Sequence, residues 1–254
     1  MEVSNSVIRS SRDFGLRAVQ GPTIANVPMG TNPLGIPREP AELQVWNTIL
    51  VANGTGIQQA GGPDNANFIL ESLVPRSLIL NNTLHANTTA INLLQRSGPL
   101  IMNNSITGNG AGTGITIDGT SLNLPFETPP QHECPLLLRN LFFGLANNGF
   151  TGTLPTRCLG GQEILGVDPR YTSPAAPDFN FRPAVGSPLV DSAVSEFGRP
   201  IDPLSFVDFF DPLWGLVNTP DRDKLGAFRR DHFGTSNIGI GQRPWLDMGA
   251  IELV

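Results

Sequence analysis

Two stretches of this chain, Leu80-Asn81-Asn82-Thr83-Leu84-His85 and Met102-Asn103-Asn104-Ser105-Ile106-Thr107, repeat one order of residues 22 positions apart. Each reads apolar, any residue, Asn, Ser or Thr, apolar. Three further segments follow a closely similar order: Val3-Ser4-Asn5-Ser6-Val7-Ile8, Val45-Trp46-Asn47-Thr48-Ile49-Leu50 and Leu138-Arg139-Asn140-Leu141-Phe142-Phe143. Strands this short cannot bury a face alone, so repeats of this kind are stable only when they stack. The pattern therefore predicts successive coils that pair strand to strand.

Four of the five segments continue through a turn into a second short apolar element. These continuations are Phe14-Gly15-Leu16, Thr55-Gly56-Ile57, Thr89-Ala90-Ile91 and Thr113-Gly114-Ile115. Apolar residues at alternate positions of such strands fill the interior between neighbouring coils. The pattern is typical of an all-β fold, and we predict a right-handed parallel β-helix. A β-sandwich with irregular turns is the alternative, but it gives no reason for Asn-Ser/Thr to recur at matching offsets.

A recurring asparagine has a physical role at the corner of each predicted coil. Asn tolerates the left-handed backbone conformation, and its side-chain amide can bind the Asn of the next coil. We expect this asparagine ladder to run through Asn47, Asn82, Asn104 and Asn140.

The composition divides the chain into two parts. Residues 1–160 carry the predicted coils, interrupted by two Pro-rich lateral loops at 20–42 and 121–134. After about residue 160 Asp, Pro and Phe become frequent, and residues 161–254 are expected to form the last coil and an irregular C-terminal cap. Such a cap covers the unpaired strand edges at the end of a stack.

Acidic residues in the predicted cap have two interpretations. Asp191 and Asp247 are expected to bind backbone amides or to pair with Arg182 or Arg229. A calcium site is the alternative, because further acidic residues crowd the same region: Asp202, Asp208, Asp211, Asp221, Asp223 and Asp231. None of them has the spacing of an EF-hand loop, so a structural role is favoured and no cofactor is expected.

Charge, hydropathy and cysteines exclude several classes. A net charge of −6 gives no general attraction to nucleic acid, and no apolar run of membrane-spanning length is present. Cys134 and Cys158 lack the further ligands of a zinc site. In an exported protein they would form a disulfide worth about 3 kcal/mol; two buried free thiols are the alternative.

The C-terminal third carries a distinctive set of segments. They are Gly166-Val167-Asp168-Pro169-Arg170, Asp178-Phe179-Asn180-Phe181-Arg182-Pro183, Gly186-Ser187-Pro188-Leu189-Val190-Asp191 and Asp247-Met248-Gly249-Ala250-Ile251-Glu252. Together they resemble the closing segment of bacterial secreted right-handed parallel β-helix repeat proteins, whose coils are pectate-lyase-like. The resemblance implies an extracellular or cell-surface location. Because the opening residues already fit the repeat and no signal peptide is visible, we expect a piece of a longer exported polypeptide.

The residues favour a scaffold over an enzyme. The acidic residues of 1–160 are far apart, and no adjacent acidic pair suggests a lyase calcium site or a glycosidase. His85 is expected to point outward, and no nucleophile is indicated. The leading hypothesis is a non-catalytic module, a rigid scaffold for assembly, adhesion or glycan contact. Its expected partners are further coils of the parent polypeptide, neighbouring subunits or a polysaccharide.

Two alternatives remain open. A polysaccharide lyase or glycoside hydrolase on the same fold would place its site beside the loop 20–42 or 121–134, with Arg17, Arg96 or Arg139 as the base. A phage or virus fibre element is the third hypothesis.

Overall fold

The structure, a computed structural model, describes residues 1–19, 43–60, 77–94, 97, 99–117, 135–151, 162–175, 177–197 and 217–253. Within these ranges the regular secondary structure is all β-strand, and no helix there is long and apolar enough to cross a membrane. The predicted loops 20–42 and 121–134 lie outside the described residues, as do Cys134 and Cys158.

Sixteen strands form three parallel sheets. Sheet A contains β1 (Glu2–Ser4), β4 (Gln44–Trp46), β7 (Leu78–Leu80), β10 (Leu100–Met102) and β13 (Leu136–Leu138). Sheet B contains β2 (Val7–Arg9), β5 (Ile49–Val51), β8 (Thr83–His85), β11 (Ser105–Thr107), β14 (Leu141–Phe143) and β16 (Ile164–Leu165). Sheet C contains β3 (Phe14–Val19), β6 (Thr55–Ala60), β9 (Thr89–Leu94), β12 (Thr113–Ile117) and β15 (Asn147–Thr151).

Each strand from β1 to β12 pairs with the strand three elements further along the chain, and β14 pairs with β16, so that the order in every sheet follows the order along the chain. We call three consecutive strands, one from each sheet, a coil; coil 1 is β1–β3 and coil 5 is β13–β15. This arrangement is compatible with the predicted β-helix. The continuations aligned from sequence are in register, since Thr55 pairs with Thr89 and Thr89 with Thr113.

Three columns of aliphatic and aromatic side chains fill the space between the sheets. From coil 2 onward they are completely buried and belong to one cluster: Val45, Ile79, Ile101 and Leu137; Leu50, Leu84, Ile106 and Phe142; Ile57, Ile91 and Ile115. Burying each such side chain contributes about 1.5–3 kcal/mol. The columns are therefore the main apolar stabilisation of the stacked coils.

The repeat alignment made from the sequence was wrong by one residue between coils 2 and 3. The sequence pattern matched Val45 with Leu80, whereas the structure pairs Val45 with Ile79 and Trp46 with Leu80. A shift of one residue moves a side chain to the opposite face of a sheet. The error arose because Asn81 and Asn82 are adjacent, and either can be aligned with Asn47.

The C-terminal residues form a mostly irregular segment with two short antiparallel pairs. These are β17 (Tyr171–Ser173) with β18 (Asn180–Pro183), and β19 (Glu196–Phe197) with β20 (Val217–Asn218). We call described residues 169–197 and 217–253 the strap.

The strap packs on the outer faces of sheets A and B. Phe181 and Ile251 contact the cluster of Ile49 and Val51 in coil 2, and Leu189 and Met248 cluster with Leu141 in coil 5. Val194 packs with Leu80, Leu100 and Met102. The prediction that this segment folds over the last coil was therefore wrong in its position, because the strap lies along the side of coils 2 to 5.

Runs of apolar residues in the strands explain this position. Ile49-Leu50-Val51 and Leu100-Ile101-Met102 are apolar at every position and buried throughout. A strand with one wet face alternates apolar and polar residues, whereas one covered on both faces reads as a continuous apolar run. The outer faces of sheets A and B thus need a cover, and the strap provides it.

Candidate functional site

A column of hydrogen-bonded side chains runs along the corner between sheets A and B. The Oδ1 atom of Asn104 accepts bonds from the main-chain N (2.9 Å) and the Nδ2 (3.0 Å) of Asn82. Asn140 Oδ1 accepts the same two bonds from Asn104, at 3.0 and 2.9 Å. Each Nδ2 also donates to a main-chain carbonyl of the preceding coil, as Asn104 does to Ile79 O. Asn82, Asn104 and Asn140 are thus brought together as a ladder.

Asn47, the fourth residue predicted for the ladder, does not belong to it. Its neighbour Thr48 occupies that position and donates its main-chain N–H to Asn82 Oδ1 at 3.0 Å. Asn47 instead has φ 49° and shares a second column with Asn81 (φ 51°) and Asn103 (φ 58°). Asn adopts this left-handed conformation more readily than other residues. The two properties that the sequence pattern assigned to one asparagine belong to two adjacent ones.

The ladder ends on a carboxyl group that the sequence pattern did not identify. Glu163 Oε2 accepts the main-chain N–H of Asn140 at 2.6 Å, in the place that an asparagine Oδ1 takes elsewhere. Burial raises the pKa of Glu163 to about 7, although the bonds from Asn140 and the charge of Arg139 oppose the shift. The pairing of Leu141 with Ile164 places residues 140 and 163 at equivalent positions.

A second ladder, between sheets B and C, was also missed. The main-chain N and the Nδ2 of Asn53 both donate to Asn87 Oδ1 at 2.9 Å. Asn87 Nδ2 then donates to Leu50 O at 2.9 Å. The signal was present in the sequence, since Asn53 and Asn87 each lie two residues before the aligned threonines Thr55 and Thr89.

The second column at the A–B corner holds the strap. We call Asn5, Asn47, Asn81, Asn103 and Arg139 the corner column, because all five have positive φ. The following contacts join it to the strap: Asn47 Nδ2 to Arg222 O (2.6 Å), Asn81 Nδ2 to Asp247 O (3.2 Å), Asn103 Nδ2 to Val194 O (2.7 Å), and Arg139 Nε to Ser192 O (2.8 Å). Arg139 is thereby engaged in a structural role rather than free to act as a base.

A buried ion pair attaches the C-terminal end of the strap to coil 2. Arg229 donates to Glu252 Oε2 at 2.8 Å, and both side chains are almost fully buried. The same guanidinium donates to Asn47 Oδ1, Asp247 O and Gly249 O. Burial raises the pKa of Glu252 and the nearby Arg229 charge opposes the shift. Since the guanidinium satisfies several oxygens at once, it fixes the last strap residues against the corner column.

Asp247 and Asp191, the two acids predicted to have structural roles, lie next to each other. Asp247 accepts the main-chain N–H of Asp191 at 2.8 Å and that of Leu253 at 2.7 Å. Burial raises the pKa of both carboxyl groups. Asp247 thus binds backbone amides, and Arg229 pairs with Glu252 rather than with either aspartate. No side-chain bond from Arg182 to them occurs among the described residues.

His85 points to the outer face of sheet B, as expected from the sequence. There the strap residue Phe181 packs beside it. Its Nδ1 is 2.8 Å from Thr107 Oγ1, and its ring lies 5.2 Å from the ring of Phe181. Burial lowers the pKa of His85. Beside it, Tyr171 donates to Ser105 Oγ, and burial raises the pKa of Tyr171. These groups hold strap and sheet together.

The strap also forms an open cleft of about 600 Å³. Its lining residues are Arg222, Gly226, Ala227, Phe228, Arg230, Asp231, His232, Phe233, Gly234 and Leu253. The Arg222 guanidinium lies 3.6 Å above the ring of Phe228 and donates to Gly226 O. Phe233 is 101% exposed and Phe228 49% exposed. Exposed aromatic rings beside guanidinium groups suit binding, and Asp231 is the single acid among the described lining residues.

No group of three or more His, Cys, Asp or Glu side chains in the described part of the chain is arranged to hold a metal ion. Asp223 accepts main-chain N–H groups of Leu225, Ala227 and Glu252, and Asp221 pairs with Arg243. Three acids of the calcium alternative, Asp202, Asp208 and Asp211, lie outside the described ranges, as does Arg96. Arg17 lies with its guanidinium 5.0 Å from the ring of Phe14.

Comparison with known proteins gives no relative to guide the assignment. No protein-family model, no curated protein and no solved structure matches this chain.

Proposed function

We propose that the chain is a right-handed parallel β-helix of the secreted bacterial repeat type, and that it serves as a non-catalytic scaffold module outside the cell or at its surface. The three parallel sheets, the pairing of equivalent strands in successive coils and the two asparagine ladders support the fold. The long interior and the ladders make the coils a rigid body, as a scaffold for assembly, adhesion or glycan contact requires.

The observation that carries this proposal is the open edge of coil 1. Val3, Ile8 and Leu16 continue the three interior columns, but they are only partly buried, whereas their counterparts whose burial is described are completely buried in coils 2 to 4 and, for sheets A and B, in coil 5. Within the described residues, β1, β2 and β3 pair on one side only. An edge of this kind is the template for a further strand. Further coils of the parent polypeptide or a neighbouring subunit would complete it.

Sedimentation velocity over a range of protein concentrations tests the role of this edge. We expect the wild-type chain to self-associate and Ile8→Lys to remain monomeric, because a charge at the end of an interior column cannot be covered by an apolar partner. Leu225→Lys is the matched control, since Leu225 is an exposed residue of the strap. A wild-type chain that is monomeric at every concentration, or an Ile8→Lys chain that associates as wild type does, contradicts assembly through coil 1.

An activity assay tests the non-catalytic part of the proposal. Incubation with a panel of uronic-acid polymers, with and without calcium, is followed by the absorbance of unsaturated product and by reducing-end release. We expect neither signal, because Asp223 and Asp247 bind backbone amides, Glu252 pairs with Arg229, and the described lining of the strap cleft carries a single acid, Asp231. Product that disappears on adding a chelator would establish the lyase alternative.

A further inference from the structure

The exposed side chains of the strap cleft do not contribute to holding the coils together. Phe233 is fully exposed at its rim, and the Arg230 side chain makes no hydrogen bond or ion pair among the described residues. A fully exposed aromatic side chain gains nothing for the folded state of the isolated chain. Aromatic and arginine side chains are, in contrast, the residues that contribute most to binding between proteins. The composition of the cleft therefore indicates a partner.

The charge of the cleft indicates what kind of partner this is. Arg222, Arg230 and His232 line it together with a single acid, Asp231, in a chain whose net charge is −6. The stacking on Phe228 and the bond to Gly226 O fix the Arg222 guanidinium before a partner arrives, which lowers the entropy lost on binding. A complementary partner is acidic and carries apolar or aromatic side chains.

This chain itself contains a segment of that chemistry. Residues 201–214 read Ile-Asp-Pro-Leu-Ser-Phe-Val-Asp-Phe-Phe-Asp-Pro-Leu-Trp, with three aspartates, four aromatic residues and no lysine or arginine. The segment lies outside the described residues, so only its chemistry enters the argument.

We infer that the strap cleft binds residues 201–214 of a second copy of this chain. Arg222 and Arg230 donate to the aspartate carboxylates in ion pairs, and Phe228 and Phe233 pack against the aromatic side chains. The inference rests on the proposed scaffold function, since both require a second copy. It adds a second interface, on the strap, to the open edge of coil 1.

Peptide binding tests the cleft separately from the coil edge. A fluorescein-labelled peptide of residues 201–214 is titrated with the full chain, and its anisotropy is measured at low and high salt. We expect saturable binding that weakens with salt. Phe233→Ala and Arg230→Glu should each weaken it at least about ten-fold, while the control Arg182→Glu leaves it unchanged. Both cleft residues are exposed, so these variants should keep the wild-type urea midpoint.

A charge exchange in the whole protein tests whether the segment bound in the cleft comes from a second copy of the chain. We expect Arg230→Glu and Asp208→Arg each to reduce self-association in sedimentation velocity, and the double variant to regain it. Unchanged peptide binding in both cleft variants overturns the site. Peptide binding to a chain whose self-association responds to neither single variant overturns the second copy as partner. Ile8→Lys should bind the peptide as wild type does, so failure of the coil edge and failure of the cleft are distinguishable.

Discussion

Replacement of Asn104 by Ala removes the central member of the longer ladder. Asn104 Oδ1 accepts two bonds from Asn82, and its Nδ2 donates to Ile79 O (2.8 Å) and to Asn140 Oδ1 (2.9 Å), all without exposure to water. Each bond contributes about 1 kcal/mol net, and a buried group left without a partner costs about 1–3 kcal/mol. The Asn82 main-chain N–H is such a group. We therefore expect a loss of roughly 3–5 kcal/mol in the free energy of unfolding.

Urea unfolding followed by tryptophan fluorescence measures this loss. Asn237→Ala is the matched control, because Asn237 is exposed, and it should stay within about 0.5 kcal/mol of wild type. Asn82 and Asn104 share two bonds, so Asn82→Ala with Asn104→Ala should cost less than the sum of the single variants. An Asn104→Ala chain that loses under about 1 kcal/mol, or a double variant that is strictly additive, refutes the ladder as a source of stability.

Two further predictions concern buried charges. The pKa of Glu163 lies near 7 in the folded chain and near 4.5 in the unfolded one, so its contribution to stability is fully present below pH 4.5 and is lost as pH rises through 7. Glu163→Gln keeps an acceptor for Asn140 but does not titrate. Between pH 5 and pH 8, wild type should therefore lose about 2–3 kcal/mol more than this variant in urea unfolding, and equal pH slopes would contradict the assignment. Arg229→Met leaves the Glu252 carboxylate buried without its partner and should cost about 3–5 kcal/mol. Adding Glu252→Gln should recover part of that loss; no recovery means that the ion pair is not what the arginine stabilises.

The sequence predicted the repeat, the interior columns and three of the four ladder residues, because each depends on contacts between equivalent positions of neighbouring coils. Asn82 and Asn104 are equivalent by sequence and by structure. Asn47 was misassigned because coil 2 has a single asparagine at this corner. The pattern alone does not say whether that asparagine occupies the left-handed position or the ladder position. Thr48 fills the latter with its main-chain N–H.

The strap was harder to place because its contacts have no period. Arg229 meets Asn47 and Glu252, and Val194 meets Asn103, across separations in sequence that follow no rule. The one sequence signal for the position of the strap was the absence of polar residues from certain strands. Strands such as Leu100–Met102 lack the polar residues that a solvent-facing side would carry, so a cover was required. Glu163 escaped notice because a carboxylate replaces the amide at the end of the ladder.

The pairing of two asparagines at one corner separates two tasks. In Asn103-Asn104, the first residue adopts the left-handed conformation and turns its amide outward to the strap, while the second turns inward to the next coil. Substitution of the first should loosen the strap and leave the coils stacked; substitution of the second should weaken the stack itself. Asn5 extends the outward column into coil 1, where within the described residues its side chain accepts only a 3.4 Å bond from Asn47. The strap's corner contacts thus stop one coil short of the open edge. A subunit that stacks on this edge would therefore lie beside the side-chain amide of Asn5, which is equivalent to the amides that bind the strap in coils 2 to 4. A segment of that subunit could bind Asn5 as the strap binds Asn47, Asn81 and Asn103.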